Sequence, residues 1–198
     1  MSLSINPMQT TNALGGFSIS STGYVQGEAI DEPAVRFQLA GGVIASSETL
    51  PMWGAIALYE NLPTDANYVL GSTVGRALTN AAVAGFSVFN QAHAWINTPQ
   101  SPVPTGQVGQ TANFYRFGSL AKIPVAIEAA LAATLLTGAT NVQVSWDFTN
   151  QKLIAYSAGI GALPCKIIGL NIGNSKTVSY SGGNTTWNNS GSVALIQI

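Results

Sequence analysis

Apolar residues in this chain recur mostly at every second position, in runs of roughly five to eight residues bounded by Gly, Pro, Asn and Asp, which is the pattern of short strands joined by tight turns. The clearest example is NVQVSWDFTNQKLIAYS. There Val142, Val144, Trp146 and Phe148 alternate with polar residues, a turn falls near Thr149 and Asn150, and the apolar positions return from Leu153 to Tyr156, which predicts a β-hairpin. In LPMWGAIALYENLP, Trp53, Ala55, Ala57 and Tyr59 oppose Met52, Ile56 and Leu58, again a strand, and the preceding Gly41-Gly42 pair predicts a bulge or tight turn. A further strand is expected from Gly85 to Ile96, with Phe86, Val88, Asn90, Ala92 and Ala94 opposite Ser87, Phe89, Gln91, His93 and Trp95. NFYRF reads as a short strand. The last third reads as CKIIGLNI, a turn at Gly173-Asn174, KTVSY, a second turn at Gly182-Gly183-Asn184, and a terminal strand VALIQI.

One segment departs from the two-residue period. From Ser119 or Pro124 to Leu136 the spacing of Ile127, Leu131 and Leu135, the Ala-rich remainder, a Pro suited to a first turn and Gly138 just past the end predict a single α-helix over about 120–137. Before it, TPQSPVPTGQVGQT holds three Pro and two Gly and predicts a loop from Thr98 to Thr111 long enough to protrude. Residues 1–24 are rich in Ser, Thr, Asn and Gly with weak periodicity and read as an extended N-terminal arm. The remainder, 25–198, reads as a single β-rich domain. The expected fold class is mainly β: a β-sandwich or jelly-roll-like barrel carrying one helix.

Charge changes this picture more than anything else in the composition. Only 15 of the 198 residues are charged, 8% against a usual share of about 25%, and the net charge is −1. Ser, Thr, Asn, Gln and 21 Gly replace charge as the solvated surface, as on extracellular β-proteins and virion components. Seven isolated cations, Arg36, Arg76, Arg116, Lys122, Lys152, Lys166 and Lys176, form no basic stripe for a phosphate backbone, so no nucleic-acid partner is expected. No apolar run approaches the length of a membrane span, and MSLSINPMQTTN has neither a basic nor an apolar leader region, so no membrane and no secretion signal are expected.

The sequence is poor in groups that do chemistry. The one histidine, His93, has no carboxylate within eight residues to orient it, and the one cysteine, Cys165, lies in an apolar run as a small hydrophobe. One His and one Cys make a poor zinc set. GFSVF lacks the second glycine of a nucleophile elbow, and Gly173-Asn174-Ser175-Lys176 lacks the Gly-Lys-Ser/Thr order of a phosphate loop. Paired carboxylates for glycoside hydrolysis would have to come from Glu28, Asp31, Glu32, Glu48 and Glu60. Trp53, Trp95, Trp146 and Trp187 could line a sugar groove, although their strand positions favour core packing. No enzyme and no cofactor are expected.

Three segments appearing in this order, YVQGEAIDEPAVRFQLAGGVIASSETLPMWGAIALYENLP, GQTANFYRFGSLAKIPVAI and IIGLNIGNSKTVSYSGGNTTWNNSGSVALIQI, cover nearly the whole chain and resemble the structural cement (capsid decoration) proteins of tailed bacteriophages. The resemblance implies a non-enzymatic homo-oligomer, made in the bacterial host cytoplasm and resident on the virion. Its partner would be the assembled major capsid protein, whose shell it would stabilise from outside, with no cofactor. Candidate contacts are the arm and the Thr98–Thr111 loop with Pro102 and Pro104, together with Arg36 and Arg116, which could equally serve to hold the fold. The other reading of the same features is a phage tail- or head-associated module that binds a host glycan or receptor through exposed aromatics.

Overall fold

The computed structural model describes residues 23–30, 32–62, 71–89, 96–98, 101–139 and 141–198, with the backbone alone at 96–98 and at 101 and 102. The expected arm therefore lies outside the described residues up to Thr22, as do His93 and Trp95. In chain order the elements are α1 (Pro33–Arg36), β1 (Ala40–Ile44), β2 (Ala57–Asn61), β3 (Thr73–Arg76), β4 (Gly85–Ser87), β5 (Ile96–Thr98), β6 (Ser101–Thr105), β7 (Thr111–Arg116), β8 (Lys122–Ala126), α2 (Ala129–Leu136), β9 (Val144–Asp147), β10 (Lys152–Ala155), β11 (Lys166–Ser181) and β12 (Asn184–Gln197), with a 3-10 turn at Asn80–Ala82. The chain is mainly β, with one helix of more than a single turn, as the patterning predicts.

Five strands close into a barrel in the order β1-β3-β2-β4-β7, parallel only between β1 and β3. Its interior is filled by Ile44, Leu58, Val74, Ala112 and Phe114, with Met52, Trp53, Ile56 and Val103 completing the cluster. A second cluster lies outside one wall of the barrel. Ala57, Phe86 and Tyr115 form one rung of that wall and pack against Ile123 and Val125 of β8, Ala194 and Ile196 of β12, Leu131 of α2, and Trp146 and Leu153 of the β9-β10 hairpin. Strands β11, β12 and β8 make the three-stranded sheet that covers this second core. The wall is buried on both sides, which is why residues 52–58 read as an almost unbroken apolar run. Its alternation is of size: Ala55 and Ala57 face one core, and Met52, Ile56 and Leu58 the other.

Two polar side chains fix the layers. Gln151 is buried at a φ of 52°, where its Oε1 accepts from Ala57 N (3.1 Å) and from Trp146 Nε1 (3.1 Å) while its Nε2 donates to Phe148 O (2.7 Å). It joins the hairpin to the barrel wall. The segment 23–30 forms the other seam. Gly27 N donates to Pro124 O of β8 and Ile30 N to Lys122 O, while Gln26 N donates to Lys176 O of β11 and Gln26 Oε1 accepts from Val178 N. Gln26 Nε2 crosses back to Gly54 O of the barrel layer. At Gly27, with φ +80°, a Cβ would stand 2.4 Å from Gly54 Cα, so two glycines are needed where the backbones meet.

Several expected boundaries move. Lys122–Ala126 is a strand and not the start of the helix, which begins at Ala129, because Ile123, Val125 and Ile127 keep a two-residue period into the core. Pro124 is tolerated there because β8 is a sheet edge and the carbonyl of Pro124 points away from β12, toward Gly27. Gly138 does end the helix, at φ +88°. The Gly41-Gly42 pair lies inside β1, paired with Asn113 and Ala112, since a Cβ on Gly42 would stand 2.6 Å from Val74 Cγ1 in the narrow barrel. The strand expected over residues 52–59 begins only at Ala57, because Ala55 has φ +62°. That expected over 85–96 is a strand only at Gly85–Ser87 and Ile96–Thr98, with 90–95 outside the described residues. Gly173-Asn174 is a bulge within the 16-residue β11 and not a turn, the register shifting between Asn171 and Ser175. The hairpin at Asp147–Lys152 and the two-residue Gly182-Gly183 turn, both glycines at positive φ, stand as predicted.

Replacing Gln151 by Leu leaves two buried N–H donors unpaired, so a loss of about 3 kcal/mol in unfolding free energy is expected by urea denaturation, with Trp146 fluorescence as the probe.

Candidate interaction surface

The tryptophans divide between the cores. Trp146 is fully buried against Phe86, with ring centroids 4.9 Å apart, and Trp187 is half-buried beside Phe89 at 5.9 Å. Trp53 is 6% exposed, with its ring occupied by the Arg76 guanidinium (4.9 Å) and stacked on Tyr180 (5.7 Å). Trp146 and Trp53 therefore present no open ring face of the kind a sugar stacks on, and Trp187 is partly buried against the barrel core.

Three carboxylates, Glu32, Glu48 and Glu60, are committed to cations. Glu48 accepts from Arg76 through both oxygens, from the backbone N at 2.8 Å and from the guanidinium at 3.0 Å, and so continues the β3 edge beyond the end of β1. The same guanidinium donates to the carbonyls of Leu50 and Pro51, which closes one end of the barrel. Glu60 receives two 2.6 Å hydrogen bonds from Arg116, and these hold its carboxyl below the ordinary carboxylate range against the opposing effect of burial. Lys122 donates to Glu32. Glu28 is exposed, and Asp31 lies outside the described residues. A carboxylate held ionised by an arginine is a poor proton donor, so Glu60 does not suit the acid role in glycoside hydrolysis. Burial pushes the Cys165 thiol up to about 12, well away from thiolate reactivity. Among the described residues no three His, Cys, Asp or Glu side chains gather as a metal site.

The expected contact residues are scattered. Arg116 sits on β7 with its side chain 49% exposed, paired with Glu60 and lying over the Phe114 ring at 5.3 Å, so it braces β7 against β2. Within the Thr98–Thr111 segment, expected to protrude as a loop, the described residues include strand β6 over Ser101–Thr105, with Val103 and Thr105 buried and Pro104 half-buried, while Gln107–Gly109 and Thr111 are exposed. Among the described residues β6 pairs on one side only, with β5, which leaves room for proline on the other. Pro102 lies in that strand.

Arg36 is exposed at the end of α1, and next to it is the residue that patterning missed. Phe37 is 93% exposed, the most open large apolar side chain described. Its backbone is well held: Val35 N and Arg36 N donate to Glu32 O, Gln38 N donates to Val35 O, and Leu39 N to Arg36 O, while Val35 and Leu39 enter the second core. The signal lay in VRFQL, where Val35 and Leu39 are four apart and Phe37 falls between them, off the buried face. Leu78 (80%), Leu62 (67%) and Leu136 (67%) are also open, at a bend, just after β2 and at the end of α2.

The Glu60–Arg116 pair gives a signed pH effect. The Glu60 pKa is lower in the folded than in the unfolded chain, so the stabilisation is present above the ordinary carboxylate range and is lost as pH falls through the folded value. Because Arg116 is half open to solvent, the pair is worth no more than about 1 kcal/mol. In Glu60→Gln, the fall of the melting temperature between about pH 6 and pH 3 should be shallower than in the unaltered protein. The Cys165 thiol should likewise resist Ellman's reagent at neutral pH and react fully once urea unfolds the chain. Comparison with family models, curated proteins and solved structures found no match to this chain.

Proposed function

We propose that this protein is a virion structural protein that binds the outside of an assembled major-capsid lattice and stabilises the shell, and that it carries out no catalysis. The observation that carries the reading is Phe37, a 93% exposed aromatic on a turn whose backbone is held from both sides by the core. Arg and large aromatics supply much of the energy at protein interfaces, and a pre-ordered backbone lowers the entropy lost on binding. The rest of the surface suits the same role. With 15 charged residues in 198, and Glu32, Glu48 and Glu60 already paired, it offers neutral polar and apolar complementarity rather than a strong field. The likeness of three long segments to phage cement proteins supplies the identity of the partner. Repeated weak contacts over a lattice add through multivalency, and a protein that binds only the assembled shell stabilises it by mass action. The glycan-binding reading draws less support, because the described tryptophans are packed.

The test is co-sedimentation of the purified protein with expanded, undecorated capsids, with unexpanded procapsids as control. Saturable binding to expanded shells and a raised capsid melting temperature are expected. Phe37→Ser should weaken that binding at least tenfold while changing the protein's own stability by less than about 0.5 kcal/mol, as for other exposed side chains. Absence of binding to either particle would overturn the reading.

A further inference from the structure

The β11-β12 hairpin reaches past the second core. Its base, where Lys166–Asn171 pairs with Val193–Gln197, lies over that core with Leu170, Ala194 and Ile196 in contact. Its outer part, where Thr177–Ser181 pairs with Asn184–Asn188, lies over the barrel instead. Val178 and Trp187, opposite each other in the hairpin, pack against the barrel cluster. The Trp187 ring stands against Phe89 at 5.9 Å, and the Tyr180 ring stacks on Trp53 at 5.7 Å. One hairpin thus closes both cores.

The two parts join where the pairing is broken. Register shifts fall between Asn171 and Ser175 and again between Ser175 and Thr177, with Ser175 opposite Gly191. The strands lie so close there that a Cβ on Gly191 would run into Thr177 Oγ1. Residues 23–26 clamp the chain just before the second break: Gly23 N donates to Asn174 O, Tyr24 N to Ser175 Oγ, Lys176 N to Tyr24 O and Gln26 N to Lys176 O. Beyond the break, Val178 N donates to Gln26 Oε1, and the Nε2 of the same amide donates to Gly54 O, next to Trp53. A clamped neck, an interrupted ladder and an apolar face turned to the barrel are the parts of a hinge and a lid.

We propose that Thr177–Asn188 is a lid on the mouth of the barrel, which lifts as an intact hairpin about Ser175–Thr177 and Gly191 with Gln26 as its latch. Lifting uncovers the Trp53 and Phe89 rings while the base of the hairpin stays in place. The closed lid carries a cost that favours this motion. Trp53 is 6% exposed, and among the described residues its Nε1 has no acceptor, so Tyr180 shuts a donor away from water. The lid rests on contacts within the chain and is independent of the capsid reading.

Hydrogen exchange resolved by NMR on the full chain separates lifting from fraying. Lys176 and Val178 turn their N–H groups toward residues 24–26, so alternation along an antiparallel pair aims those of Ser179 and Thr186 across the hairpin. Lifting breaks the first kind of bond and keeps the second. The Val178 amide and the Trp53 indole N–H should therefore share one protection factor, at least ~10-fold below those of Ser179, Thr186, Ala194 and Ile196. Tyr180→Ser, at a side chain already 37% exposed, should lower both at least ~10-fold further and leave Ala194 and Ile196 unchanged. Exchange of Ser179 and Thr186 as fast as Val178 would overturn the proposal in favour of a fraying tip. So would Val178 and Trp53 as protected as Ala194 and Ile196, or a Trp53 indole indifferent to Tyr180→Ser.

Discussion

The seam formed by residues 23–30 is the contact on which the two layers depend. A five-stranded barrel and a three-stranded sheet each have their own apolar face, but a shared core does not by itself fix how they are aligned. Gln26 and Gly27 do so with directional bonds: to β8 on one side, to β11 on the other, and to Gly54 in the barrel layer. The close approach of Gly27 to Gly54 leaves no room for a side chain, so the layers meet backbone to backbone there. A buried amide with each group paired is far more selective about geometry than apolar contact is, because any displacement strands a donor or acceptor away from water.

The barrel wall shares this logic. It separates two cores, and Ser87, buried within it, accepts from Ile56 N at 2.9 Å and donates to Trp53 O at 2.6 Å. Those bonds satisfy backbone that leaves the strand conformation near Ala55. Gln151 does the same from the opposite core. Interior polar side chains thus appear where the chain stops being regular, and the apolar clusters fill the space between them. The surface follows a different rule: few charges, three pairs of them joined as ion pairs, and isolated large apolar side chains.

Which of these features could be read from the residues follows from the range of the forces involved. The β9-β10 hairpin and the Gly182-Gly183 turn were legible because local chemistry decides them: Asp147 Oδ1 accepts from Thr149 N and Asn150 N, and consecutive glycines supply two positive φ angles. The start of α2 was not, because Ile123, Val125 and Ile127 satisfy a two-residue period while Ile127, Leu131 and Leu135 satisfy a helical one, and only pairing with β12 decides between them. Gly173-Asn174 resembles a turn locally, yet β12 runs alongside and makes it a bulge. The Pro-rich segment looked like a protruding loop because sequence cannot show that Val103 has a core to enter. Of the candidate contacts, Arg36 was placed on an open turn, Arg116 on a strand in an ion pair, and Phe37 was overlooked since an aromatic residue is assumed to be inside.

The long β11-β12 hairpin bears on how the chain finds this arrangement. Its two strands are joined by two residues, so closing it costs little loop entropy, whereas closing the barrel brings Ala40 to Phe114 across more than a third of the chain. Topologies dominated by such distant pairings fold slowly. The hairpin can therefore close on local contacts, presenting Ala194 and Ile196, while the pairing of β1 with β7 carries the larger loop-closure cost.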